Sequence, residues 1–394
     1  MTVHGSGEGP GVRWLLTGPS HRRAPSLDDE PRRFHRRLPG YEVTSLREAP
    51  SLAELLGVAR VDVKIESDRL GLPSFKILGA SWATARLLGE RLGRSLTECE
   101  GIEEVAHRLD DIRPLTLVAA TDGNHGRAVA RIARWWGLDA SILVPSDMSE
   151  ARRAALREEG ASVTVIDGPY DTAVDASKEL EGPGALVVSD TSWPGYETVP
   201  GWIIEGYSTI FSEVEEQRAA VEAPPYDLVA VQIGVGALAA ATVRYVQGPE
   251  TTIIGVEPDR ADCVARSLVA GRPVSLSGGQ DSIMAGLNCG TPSRVAWPEL
   301  SGGLDAAVVI DDDWAREGVR AFARSGIVAG ESGAAGLAGL MALRANAPRE
   351  SCAALGLGAD ASVLLLATEG ATDPDAWAEI VESRPGSEDV DSGR

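Results

Sequence analysis

Lys76 stands between Phe75 and Ile77, where a helical pattern begins. A lysine so placed reads in two ways. It can be a surface residue whose stem lies along apolar neighbours while its ammonium reaches water. It can instead be a partly buried amine, in which burial disfavours the charged form and frees the lone pair to attack an aldehyde as a Schiff-base lysine. Two carboxylates are candidates for proton transfer. Asp122 lies in Thr121-Asp122-Gly123-Asn124-His125-Gly126, after an apolar run and before a helical one. The glycines let backbone approach a ligand closely, and the N–H groups of the helix start suit an anion such as a carboxylate. The same turn could merely cap the helix through Asp122 or Asn124, and His125 could be a packed loop histidine. Asp190 opens Ser189-Asp190-Thr191-Ser192-Trp193-Pro194-Gly195-Tyr196, which reads either as a surface turn or as a carboxylate set at a strand end for proton transfer.

Gly234-Val235-Gly236-Ala237-Leu238 also joins a strand pattern to a helical one. Exposed N–H groups in such a loop can cradle a phosphate, although a short glycine loop is more often a tight turn. Ala239 takes the place of the third glycine of a dinucleotide fingerprint, and no Gly-Lys-Ser/Thr follows. Gly330-Glu331-Ser332-Gly333-Ala334-Ala335-Gly336 could be close helix packing. Thr368-Glu369-Gly370-Ala371-Thr372-Asp373 ends an apolar strand, where the Thr368 hydroxyl could reach a ring nitrogen.

Elements must hold these residues. Short β-branched runs predict strands at 61–66, 116–121, 141–145, 162–167, 185–190, 227–234, 252–257, 306–310 and 362–368. Helical spacing between them predicts helices at 77–92, 126–136, 149–159, 170–180, 199–214, 237–246 and 314–324. Repeated strand–helix alternation with continuous apolar strands argues for parallel sheets covered by helices, whose ligands bind at the strands' carboxyl ends. The 394 residues exceed one small core. Residues 1–30 read as a loose N-terminal arm and 386–394 as an acidic tail.

The net charge of −21 disfavours nucleic acid and anionic membrane as partners. No run is long enough to span a bilayer and the first residues show no apolar signal core, so cytoplasm is the expected compartment. Cys99, Cys263, Cys289 and Cys352 form no CxxC pair and the five histidines are scattered, so neither a disulfide framework nor a metal site is expected.

In this order the motifs resemble those of the fold-type II pyridoxal-phosphate (PLP) enzymes, which include serine and threonine dehydratases, cysteine synthase and the tryptophan synthase β subunit. Within that group they are most similar to the diaminopropionate ammonia-lyases. Gly71-Leu72-Pro73-Ser74-Phe75-Lys76, Thr121 to Arg127, Met284-Ala285-Gly286-Leu287-Asn288-Cys289-Gly290 and Thr368-Glu369-Gly370 carry much of the resemblance, which covers roughly residues 34–380. The Asp-Gly-Asn-His-Gly and Met-Ala-Gly-Leu-Asn-Cys-Gly stretches are specific, whereas the glycine loop alone is not.

The resemblance implies two parallel-sheet α/β domains with PLP in the cleft between them. A large domain would comprise 31–84 and 201–385, and a small domain 85–200 would be inserted in it. The chain would form a homodimer acting on a small amino acid. Lys76 would carry PLP, Asn124 would contact the O3′ side, Gly234, Val235, Gly236, Ala237 and Leu238 would hold the phosphate, and Thr368 would face the pyridine nitrogen. Ser74, Thr121, Gly123 and His125 would contact substrate. Asp190 would serve the L-isomer and Asp122 the D-isomer of 2,3-diaminopropionate, giving pyruvate and ammonia. An anion in the Asn124 turn suits a substrate whose leaving group is cationic. Two departures bear on substrate choice: Val43-Thr44-Ser45-Leu46 replaces Pro-Thr-Pro-Leu, and Ala371 stands where an acid is expected. Another β-substituted alanine, including one with a substituted amine, is therefore an alternative. A catalytically silent binding protein is a second, which retention of Lys76, Asp122 and Asp190 argues against.

Overall fold

Apolar runs with no polar face must be covered on both sides, and the strands Leu228–Gln232, Ala306–Ile310 and Ser362–Ala367 show where that happens. In the computed structural model, residues 5–17, 29–246 and 250–383 are described. The strands in chain order are β1 Gly5–Gly9, β2 Val12–Leu16, β3 Leu46–Glu48, β4 Arg60–Ile65, β5 Thr116–Ala120, β6 Asp139–Pro145, β7 Ser162–Ile166, β8 Ala185–Val187, β9 Leu228–Gln232, β10 Thr252–Pro258, β11 Ala306–Ile310 and β12 Ser362–Ala367. They form a mixed sheet ordered β1-β2-β11-β10-β9-β12-β4-β3 and a four-stranded sheet ordered β7-β6-β5-β8. The small sheet is all parallel, as are the five central strands β11-β10-β9-β12-β4 of the large one.

Side-chain alternation along β9 divides the interior. Val229 and Val231 join an apolar core that continues to Leu117 and Val118 beneath the small sheet. Leu228 and Ala230 face a second core on the opposite side of the large sheet. The helix Glu331–Asn346 lies in that second layer and is buried all round over its first ten residues. At Gly333 a Cβ would fall 2.7 Å from the backbone oxygen of Glu369, so only glycine lets this helix start so close to the end of β12. The Gly330–Gly336 segment is thus a close-packing device.

Three expectations need correction. Residues 5–17 are not a loose arm: β1 and β2 form a hairpin whose second strand pairs antiparallel with β11, Trp14 opposite Val308. The rest of the expected arm, 1–4 and 18–28, and the acidic tail lie outside the described residues. The domain limits at 84/85 and 200/201 each cut a helix, Lys76–Leu92 and Thr198–Gly206, and these two helices pack on each other. The expected helix over 199–214 is two, separated at Tyr207.

A buried ion cluster fastens the segment that leads to Lys76. Lys64 Nζ donates to Glu213 Oε2 at 2.7 Å, and Arg69 makes paired contacts with Glu66 at 2.6 and 2.8 Å and with Glu213 at 2.7 and 2.8 Å. All four side chains are inaccessible to solvent. Two cations meet two carboxylates, so charge is matched. Burial alone would raise the Glu213 carboxyl, but Arg69 and Lys64 hold it down at about 2. Thr44, in the segment that departs from Pro-Thr-Pro-Leu, joins the cluster through Glu66 at 2.7 Å.

Candidate active site

The carboxyl ends of β4, β5, β8, β9 and β12 converge on one cleft of about 690 Å³. Register brings them level: Ile65 pairs with Ala367, and beyond them the segment before Lys76 is stitched to the end of β12. Phe75 N–H donates to Thr368 O at 3.3 Å, Gly370 N–H donates to Pro73 O at 2.9 Å, and Ser74 bridges Glu369. The first residue of the following helix is Lys76, which therefore projects into the cleft from a fixed origin.

Lys76 Nζ donates to Asp190 Oδ2 at 2.6 Å. The other Asp190 oxygen accepts from Tyr170 OH at 3.3 Å. Burial alone would push the Lys76 ammonium down, but Asp190, with Tyr207 and Asp122 behind it, holds it above the usual lysine value. This corrects the expectation that burial frees the amine: with Asp190 this close the charged form wins. Burial would raise Asp190, but the Lys76 ammonium bonded to it, together with the Tyr170 hydroxyl, holds it below the usual carboxylate range. Asp122 behaves oppositely. Burial pushes it up to about 6, Lys76 only partly opposes this, and Asp190 adds to it. One cation thus faces two carboxylates, and the one without a direct bond to it carries the raised pKa.

In the Asp122 turn, Thr121 Oγ1 accepts the N–H groups of Gly123 at 2.9 Å and Gly126 at 3.0 Å, which shapes the entrance to the helix Asn124–Trp136. The next N–H groups lie in the first helical turn and are available to an anion. Asn124 Nδ2 donates to Glu369 Oε2, and Glu369 Oε1 accepts from Ser332 N–H at 3.2 Å. His125 Nε2 bonds Val188 O at 2.7 Å. Burial holds the ring below the usual histidine value, so it is neutral with Nε2–H donating.

On the facing wall, Gly234 to Leu238 line the cleft and lead into the helix Ala237–Tyr245. Gly236 has φ +98°, and a Cβ there would fall 2.6 Å from Leu300 Cδ1. The turn therefore needs glycine, and it presents first-turn N–H groups where a phosphate can sit. Thr368 Oγ1 accepts from Gln232 Nε2, while the buried Gln232 Oε1 has no hydrogen-bond partner. A lysine amine on one wall and a phosphate-sized glycine cradle on the other fit a phosphorylated pyridine aldehyde.

The structure brings Lys76, Thr121, Asp122, Asn124, His125, Asp190, the Gly234–Leu238 loop and Thr368 to one cavity. Gly123 lines an adjoining one. Ser74 is buried, bridges Glu369 and does not line the cleft. Sequence reasoning missed Tyr170 and Gln232. Gln232 had a signal, being the one polar residue of β9 and standing at its carboxyl end. Tyr170 had none, because its partner lies on a different element.

A parallel sheet and a mixed sheet with a parallel centre meeting at a cleft, with a lysine amine on one side and a glycine anion cradle on the other, define a class of α/β enzymes that hold an aldehyde cofactor by its carbonyl and its phosphate. The chain belongs to the pyridoxal-phosphate dependent enzyme family, whose model matches residues 37–357. It is 37% identical over 366 residues to the diaminopropionate ammonia-lyase of Salmonella typhimurium, covering 88% of this chain and 90% of that one. The Escherichia coli (strain K12) diaminopropionate ammonia-lyase is 37% identical over 361 residues, covering 89% and 90%. The crystal structure of the Escherichia coli enzyme in complex with an aminoacrylate-PLP azomethine reaction intermediate matches with TM-score 0.85 and 34% identity over 94% of this chain and 97% of that chain.

Proposed function

We propose that this chain catalyses the PLP-dependent α,β-elimination of 2,3-diaminopropionate to pyruvate and ammonia. The observation that carries the reading is the pair of carboxylates flanking Lys76: Asp190 bonded to it, and Asp122 in the anion-binding turn with its pKa pushed up to about 6. The likeness to the diaminopropionate ammonia-lyases supports it.

PLP supplies an electron sink for the carbanion formed at the substrate's α-carbon. Lys76 would hold its aldehyde, Gly234, Val235, Gly236, Ala237 and Leu238 its phosphate, Thr368 with Gln232 its ring nitrogen, and Asn124 its O3′ side. The first-turn N–H groups of Asn124 and His125 would orient the substrate carboxylate, with Thr121 and Gly123 shaping that turn. Asp190 removes the α-proton of the L-isomer and Asp122 that of the D-isomer. The β-amino group is protonated at neutral pH, as an alkyl amine is. It leaves as ammonia from a site whose excess of negative charge holds it in place. The enamine left behind hydrolyses to pyruvate and a second ammonia.

The reading includes a division of labour between a large body and a smaller one built on β5–β8, with the cleft between them. It also includes a homodimer acting in the cytoplasm. The buried, unbridged cysteines suit a reducing compartment, and sedimentation of the purified protein tests the dimer. The test of function is pyruvate release from D- and L-2,3-diaminopropionate, with serine as control. Fast release from either diamine and slow release from serine is expected. No release from protein that visibly holds PLP would reject the named substrate.

A further inference from the structure

Behind Asp122 lies a second cavity of about 360 Å³. It shares Asp122, Asn124, Gly286 and Glu369 with the main cleft and continues outward to Arg127, Arg152 and Thr372. The cations of this outer part differ in their partners. Arg127 is paired with Glu159 at 3.5 Å. The Arg152 guanidinium has no carboxylate within 4 Å among the described residues, and its side-chain contact is Nη2 to Thr372 Oγ1 at 3.5 Å. The adjoining position, Ala371, is uncharged. Arg152 rises from the helix Glu150–Glu158, whose start is capped by Ser149, so its origin is fixed. An unpaired guanidinium beside a hydroxyl, opening onto a reaction cleft, is a receptor for a planar anion.

We infer that this cavity is a subsite for a carboxylate carried on the substrate's β-nitrogen, and that Arg152 with Thr372 determines specificity for β-N-carboxyalkyl derivatives of 2,3-diaminopropionate. The inference rests on the reading above and extends it from an unsubstituted to a substituted leaving group. The order of charges along the route matches such a molecule. Asp122 and Glu369 border the passage between the cavities, where the secondary ammonium would lie, and Arg152 stands beyond them, where the carboxylate would lie. An acyl substituent suits this layout less well, because an amide nitrogen is not protonated at neutral pH, would have to leave as an anion, and gains nothing from the two carboxylates. With a carboxymethyl group the reaction balances: the Cβ–N bond breaks and its electron pair departs on nitrogen as glycine. Water then releases pyruvate and one ammonia.

The experiment uses the PLP-loaded enzyme with L-2,3-diaminopropionate, its N3-carboxymethyl derivative and its N3-ethyl derivative, which has similar bulk without the charge. Pyruvate is followed for all three, and glycine for the carboxymethyl compound. The wild type is expected to favour the carboxymethyl over the ethyl compound in kcat/KM. Arg152→Gln should reduce that ratio about tenfold or more, the scale of one charge-assisted hydrogen bond. Arg152→Lys should restore part of it, and Thr372→Val should reduce it less than Arg152→Gln does. A wild-type ratio near one, or a ratio that Arg152→Gln leaves unchanged, overturns the subsite while L-2,3-diaminopropionate turnover keeps the parent reading. Failure of the wild type on L-2,3-diaminopropionate overturns the parent reading and this inference with it.

Discussion

Two buried charge clusters lie on either side of the segment from Glu66 to Lys76, and both are built from basic side chains and carboxylates. Behind the segment, Lys64 and Arg69 meet Glu66 and Glu213, and every carboxylate oxygen is answered at hydrogen-bond distance. In front of it, Lys76 bonds Asp190 directly, and among the described residues Asp122 has no cation at hydrogen-bond distance, Lys76 and Arg152 acting on it from farther away. The first cluster balances and is sealed, so it has one arrangement and serves as a foundation. The second has one carboxylate too many and opens to a cleft. That surplus moves Asp122 into the range where a carboxyl can take up or give a proton near neutrality, and it leaves negative charge for a cationic substrate. Imbalance, not burial, separates the reactive cluster from the structural one.

The largest effect should come from removing the cation bonded to Asp190 in the open cluster. Lys76→Met is expected to abolish the visible absorbance of attached cofactor. It should lower pyruvate release by more than the ~10²–10⁴-fold that one acid or base supplies. A variant that keeps its absorbance and rate would remove Lys76 from the reaction. Next, Asp190→Asn should depress turnover of the L-isomer by ~10²–10⁴-fold and of the D-isomer far less, and Asp122→Asn should do the reverse. Equal losses on both isomers would contradict the assignment of faces. In the sealed cluster the change should appear as stability. Glu213→Gln strips Lys64 and Arg69 of a shared partner and should cost ~3–5 kcal/mol in denaturant unfolding, with a lower Tm. A cost below ~1 kcal/mol would show the cluster to be no tighter than a surface pair.

The contrast also explains what the sequence made legible. Nine strands could be read from their β-branched and apolar runs; strands buried on both faces must carry such runs, and the largely exposed edge strand β7 keeps its β-branched residues. β1 and β2 could not: Gly5-Ser6-Gly7-Glu8-Gly9 has no pattern of its own and is ordered by pairing that ends on β11, nearly 300 residues away. The break at Tyr207 was equally hidden, since both flanking helices share one apolar pattern. In the site, Lys76, Asp122 and Asp190 were visible because each stands at the start of an element or just beyond the end of one, with a residue type that element does not need. The partners that set their charge were not. Tyr170 meets Asp190 across two elements, Glu369 meets Asn124 from 245 residues away, and Asp190 reverses the effect of burial on Lys76 from 114 residues away. Local patterns specify where a side chain starts, and long-range pairing decides its protonation.

The smallest predicted effect is the finest test of that imbalance. A base must be deprotonated to act. With Asp122 pushed up to about 6, kcat/KM for the D-isomer should fall about tenfold per pH unit below 6 and level off above about 7. Asp190 is held below the usual carboxylate range, so the acid limb for the L-isomer should lie at lower pH. The two isomers share the same amino and carboxyl titrations in solution, so the ratio of their kcat/KM values cancels the substrate and reports the enzyme. That ratio, D over L, should decline between pH 7 and pH 5 and return on raising the pH. Arg152→Gln removes a cation that draws Asp122 down, so the decline should begin at higher pH in that variant. Superimposable limbs for the two isomers would mean that both carboxylates ionise as one unit, and that the surplus charge belongs to the pair and not to Asp122.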